Sequence, residues 1–101
     1  MTDLGLNAGD LLAVTETFRN DPRILSASVF GSRAKGDYKP YSDVDIALFG
    51  DLDSLDVERV RDDLEELPMV VKFDVVAYGL VENPEFRRHI ERVGVRIYEK
   101  E

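Results

Sequence analysis

The chain has 101 residues and a mass of 11.4 kDa, with 13 Lys and Arg against 21 Asp and Glu, a formal net charge of −8. Phosphate binding needs a basic face, so this balance excludes a generic nucleic-acid binder; the absence of cysteine excludes disulfides, thiolate metal sites and cysteine nucleophiles. The apolar runs fall far short of the roughly 20 residues that span a bilayer, and Met1-Thr2-Asp3-Leu4 lacks the basic and apolar regions of a secretory signal, so the expectation is one cytoplasmic domain over residues 1–101, with no membrane contact.

Residues 10–19 predict a helix, with Leu11, Leu12, Thr15 and Phe18 near helical spacing and Asp10 placed as its cap. Asp21-Pro22 ends it, because the residue before proline is pushed out of the helical region. Residues 24–30 predict a strand, with Leu25, Ala27 and Val29 on one face and Ile24, Ser26, Ser28 and Phe30 on the other. A turn, Gly31-Ser32-Arg33-Ala34-Lys35-Gly36, and a polar loop with Pro40 lead to a second strand over 43–49. Over 54–67, Val57, Val60, Leu64 and Leu67 mark one face of a helix that Pro68 stops. Residues 70–77 predict a valine-rich strand. Asn83-Pro84 opens a last helix, with asparagine as cap, Phe86, Ile90 and Val93 as its buried stripe and Gly94 as its end. Val95 to Tyr98 add a short strand, and the order predicts an α/β sheet covered by helices.

Three features carry chemistry. Asp43 and Asp45 flank Val44, and side chains two apart on a strand point the same way, with Cα atoms about 6.6 Å apart. Two such carboxylates can converge on a magnesium ion completed by phosphate oxygens, although a D-x-D also suits a plain solvated strand start. Val44, Ile46 and Leu48 on the opposite face form a core stripe. The turn Phe30-Gly31-Ser32-Arg33 lets backbone approach a phosphate closely, and it holds Arg33 and Lys35, rare cations in an acidic chain. Taken alone, it is equally a tight turn with solvated basic residues. Asp74 sits inside the valine-rich strand on the face of Val70, Lys72 and Val76; burial there demands a partner such as a metal, whereas an edge strand would leave Lys72 and Asp74 in water.

Together, Gly31-Ser32, Asp43-x-Asp45 and the later strand Asp74 resemble the nucleotidyltransferase superfamily related to DNA polymerase beta. The finer match is to its minimal nucleotidyltransferases, read as antitoxins paired with HEPN-domain toxins. It rests on Phe30 to Gly36, on Ser42-Asp43-Val44-Asp45-Ile46 and on the tail from Phe86 to Tyr98. The resemblance implies the nucleotidyltransferase fold, a small mixed β-sheet flanked by helices. It implies ATP held at Gly31, Ser32 and Arg33, and two magnesium ions at Asp43 and Asp45. Asp74 would bind the catalytic ion and help deprotonate the acceptor. Arg33 would neutralise phosphate or pair with a nearby carboxylate. The implied acceptor is a tyrosine of a HEPN ribonuclease toxin, bound as a hetero-oligomer and silenced by AMP. The alternatives are an antitoxin that only binds its partner, and nucleotidyl transfer to a small molecule such as an aminoglycoside. His89, the single histidine, reads as structural or surface, and Tyr38 and Tyr41 as loop aromatics open to stacking on a base or a partner.

Overall fold

In the computed structural model, which describes residues 4–101, helix α1 (Ala8–Arg19) starts earlier than the spacing implies. Asn7 caps it in place of Asp10: the Asn7 side chain accepts the Asp10 backbone N–H at 2.8 Å. Asparagine there satisfies one of the donors every helix start leaves open. Val14 and Phe18 are the buried face, while Leu12 is exposed. Met1 to Asp3, in the stretch expected to carry no secretory signal, lie outside the described residues. Among those described, no helix is long and apolar enough to cross a membrane.

Strand β1 (Ile24–Phe30) leads directly into the short helix α2 (Gly31–Lys35). The chain then forms β2 (Val44–Gly50), α3 (Ser54–Glu65), β3 (Phe73–Ala77), a 3-10 turn at Tyr78–Leu80, α4 (Pro84–Val93) and β4 (Val95–Glu99). The four strands lie in the order β3-β2-β1-β4. Strand β1 pairs antiparallel with both β2 and β4, and β2 pairs parallel with β3, so the sheet is mixed, as expected.

Each face of the sheet has its own core. On one face α1 and α3 bring Val14, Phe18, Val60 and Leu64 onto Val29, Val44, Ile46, Leu48 and Val75. On the other, α4 lays Ile90, with Phe86 and Val93, over Phe30 and Ala47. A register shift between Ile24 and Ser26 changes the expected faces of β1. Ile24 joins Ala27 and Val29 in the first core, and Leu25 is left 54% exposed. One extra residue in a strand reverses the alternation beyond it.

The third strand is shorter than the 70–77 expectation. Strand β2 begins only at Val44, so residues 70–72 have little to pair with beyond the Val44 N–H donating to the Lys72 carbonyl at 2.8 Å. Val70 accordingly stands fully in solvent.

Helix α3 is fastened by charge. Asp53 accepts the Asp56 N–H at 2.8 Å and Asp56 accepts the Asp53 N–H at 2.9 Å, a reciprocal cap. The buried Asp56 carboxylate also accepts from Arg59 at 2.9 Å and from Arg23, and Arg59 reaches Asp21 at 3.0 Å. This ties the entry to β1 to the start of α3. The Asp53 backbone N–H, with Arg59 and Arg23, holds the Asp56 carboxyl below its ordinary value. A depressed acid contributes stability above its unfolded value and loses it as pH falls through the folded one. Asp56→Asn should therefore lower Tm at pH 7, and thermal melts of the two proteins should converge as the pH falls through the depressed folded value of Asp56.

Candidate active site

Strand register brings the predicted acids together. Phe30, the last residue of β1, is the Cα partner of Asp45, and Asp45 is in turn the partner of Asp74 on β3. Side chains of directly paired residues share a face, so Asp45 and Asp74 stand side by side about 5 Å apart. Ala47 and Phe49, two and four residues beyond Asp45, line the α4 core, which fixes the acids on the α4 side of the sheet. Of the two readings of Asp74, the edge-strand reading is right about position and solvent: β3 is an edge strand and Asp74 is exposed. It nonetheless places that carboxylate against Asp45.

Asp43 precedes the first residue of β2 and is exposed. Its charge is felt at Asp45, whose carboxyl is raised above its ordinary value by burial first, then by Asp74 and Asp43. Oxygen donors crowded in this way suit a hard divalent cation. Among the described residues no group of three or more His, Cys, Asp or Glu side chains is gathered closely enough to hold an ion alone. The fit is therefore to a cation that completes its shell with oxygens from elsewhere.

Gly31 is the residue that makes room. Its φ is +74°, a conformation that side chains rarely adopt, and an added Cβ would collide with the Asp45 Oδ2. Ser32 follows, half-buried, in the first turn of α2. Gly31, Ser32, Asp45 and Asp74 thus gather at one end of the sheet.

Arg33 does not join them, and neither expected role is what it does. It is only 1% exposed, and its guanidinium donates to backbone carbonyls: Leu4 at 2.8 Å, Ser42 at 2.9 Å and Pro40 at 3.3 Å. Tyr38 lies against it, 5.0 Å from the ring centroid, so that ring is engaged within the fold. Tyr41 remains 78% exposed. His89 packs edge-on to Phe30 at 6.1 Å and beside Phe86 at 6.5 Å. The sequence contains no signal that separates a carbonyl-binding arginine from a phosphate-binding one, because both ligands are oxygen acceptors.

Residues 13–101 match the family model described as polymerase beta, nucleotidyltransferase. The chain is 36% identical over 74 residues to a probable protein adenylyltransferase, MntA, of Haemophilus influenzae; the match covers 71% of this chain and 64% of that protein, a little under two thirds of its length. A chain in the crystal structure of the toxin–antitoxin pair MntA–HepT superposes with a TM-score of 0.70 at 15% identity, covering 93% of this chain and 74% of that one. A chain of the tri-AMPylated Shewanella oneidensis HEPN toxin in complex with MNT antitoxin superposes with a TM-score of 0.63 at 17% identity, over 90% and 71%. At such identities the superpositions establish the fold.

The electrostatics of the site set a stability prediction. Asp45 binds its proton more tightly folded than unfolded, so its ionisation destabilises the fold as pH rises above 3.8, the ordinary value. Asp45→Asn, which carries no charge, should raise Tm at pH 7 in chelator, and that gain should vanish in melts at or below the ordinary value. An unchanged or lower Tm at pH 7 would show that Asp45 is not held against repulsion.

Proposed function

The chain belongs to the polymerase beta nucleotidyltransferase family, and from that premise we propose that it is a protein adenylyltransferase that moves AMP from ATP onto a tyrosine of a HEPN-type toxin. The observation that carries this reading is the register pairing of Asp45 with Asp74 beside Gly31. The name of the Haemophilus relative, an adenylyltransferase, supports the same activity. The toxin–antitoxin complexes among the structural neighbours support the choice of partner. Residues 1–101 act as the catalytic unit, in the cytoplasm where such a toxin would work.

Each residue has a separate task. The Gly31-Ser32 turn receives the triphosphate, since glycine permits close backbone approach and the serine offers hydroxyl and N–H. Asp43, Asp45 and Asp74 would hold the two magnesium ions. Bound magnesium supplies positive charge that stabilises the oxygens entering and leaving the α-phosphorus. Asp74, exposed at the sheet edge, takes the phenolic proton. The tyrosine oxygen forms the new bond to the α-phosphorus, the bond to the β-phosphate bridging oxygen breaks, and pyrophosphate leaves. Arg33 gives its donors to backbone carbonyls and not to phosphate oxygens.

The test is intact mass spectrometry of the toxin incubated with ATP, magnesium and either wild-type chain or Asp43→Ala. AMP-sized increments should appear with wild type, at a rate on the order of a thousandfold above the variant, given a metal contribution of several kcal/mol. A toxin bound by wild type yet never gaining mass, from an unmodified starting mass, would instead identify neutralisation by binding.

A further inference from the structure

Two separate pieces of backbone meet on one buried side chain. Arg33 sits on α2, immediately after Ser32, and its terminal nitrogens donate to Leu4 in the N-terminal segment and to Pro40 and Ser42 in the loop before β2. Its Nε also donates to Ser42, at 3.2 Å. Ser42 is the residue before Asp43. Around Ser42 the loop is also tied by Ser42 N–H to Lys39 O at 2.9 Å and Lys39 N–H to Ser42 Oγ at 2.8 Å, and then by Val44 N–H to Lys72 O. Asp43 therefore lies between a carbonyl clamped by Arg33 and the first residue of the sheet.

We propose that Arg33 is a positioning residue, which sets the distance between the Gly31-Ser32 turn and Asp43 by clamping the Ser42 carbonyl. This rests on the assignment of Asp43 as a metal ligand. A planar fork of five donors can serve carbonyls on two sides at once; a lysine ammonium, a point charge on a flexible stem, cannot hold the same span. The Tyr38 ring closes the remaining side, and Gly5 passes so near that a Cβ there would lie 2.6 Å from the Arg33 Nη1. The side chain is thus fixed as well as fixing. Groups that orient a metal ligand without touching the ion typically change affinity or activity by 10- to 100-fold when removed.

The experiment compares wild type with Arg33→Lys in two readouts. Amide hydrogen exchange at Lys39, Ser42 and Val44 should accelerate in the variant while α1 and α3 keep their protection. Binding of Mn2+, titrated in the presence of a non-hydrolysable ATP analogue, should weaken roughly 10- to 100-fold. Wild-type exchange at those three amides together with wild-type Mn2+ affinity would overturn the proposal. If Arg33→Lys does not fold, Tyr38→Leu takes its place: it removes the ring that holds the guanidinium against its carbonyls, loosens that clamp without deleting it, and should shift both readouts the same way by a smaller factor. Unchanged exchange and affinity in Tyr38→Leu would then overturn it. A wild-type chain that binds no Mn2+ would defeat the metal assignment, and the exchange readout would still decide whether Arg33 holds the loop.

Discussion

Two carboxylates paired across neighbouring strands, with a third two residues away, repel one another, and the rest of the molecule holds them in place regardless. The restraint comes from the other face of the same strand. Val44, Ile46 and Leu48 are completely buried under α1 and α3, and each alternates with an acid or with a residue of the α4 core. Shifting β2 by one position would put every one of these side chains on the wrong face. Burial of three such residues contributes about 1.5–3 kcal/mol apiece, against about 3 kcal/mol for two like charges about 5 Å apart at an effective dielectric near 20. The acids stay adjacent because leaving the register would expose the core.

Glycine at position 31 belongs to the same arrangement. The Asp45 carboxylate occupies the space a side chain would need, and the positive φ turns the chain from β1 into α2 at that point. Ser32 is delivered beside the acids as a consequence. The order of events along the chain is therefore strand, glycine, serine, and then a loop that returns to place Asp43. Arg33 closes that loop from the protein side, so the turn and the D-x-D strand are joined by one side chain as well as by the intervening backbone.

Much of this was legible in the residues. Alternation alone separates Val44, Ile46 and Leu48 from Asp43 and Asp45, and Asn83-Pro84 marks the start of α4 at its observed position. Other features depend on partners distant in sequence. The Asp45–Asp74 pairing requires knowing that β3 lies parallel to β2, and nothing within either strand states that. The β1 bulge at Ile24 to Ser26 answers to its pairing with β2, so simple alternation assigned Ile24 and Leu25 to the wrong faces. The α1 cap went to Asn7 rather than Asp10 because both are good caps and only the helix's actual first turn decides between them. Arg33 shows the limit chemically: a cation beside a Gly-Ser turn invites a phosphate, yet three backbone carbonyls compete for the same donors.

With the Arg33 guanidinium spent on Leu4, Pro40 and Ser42, the other cation of the turn is Lys35, whose side chain is 52% exposed and 3.9 Å from Asp37. An exposed pair of this kind is worth little and is screened by salt. Facing the turn are Asp45 and Asp74, in a chain already at −8. These carboxylates repel a bare triphosphate. On the proposed reading, the nucleotide can settle there only together with the cations that neutralise it, so metal and substrate binding are coupled by the protein's own charge. On that reading the phosphate oxygens would supply the ligands that the three acids do not, and the cations would relieve the repulsion between Asp45 and Asp74.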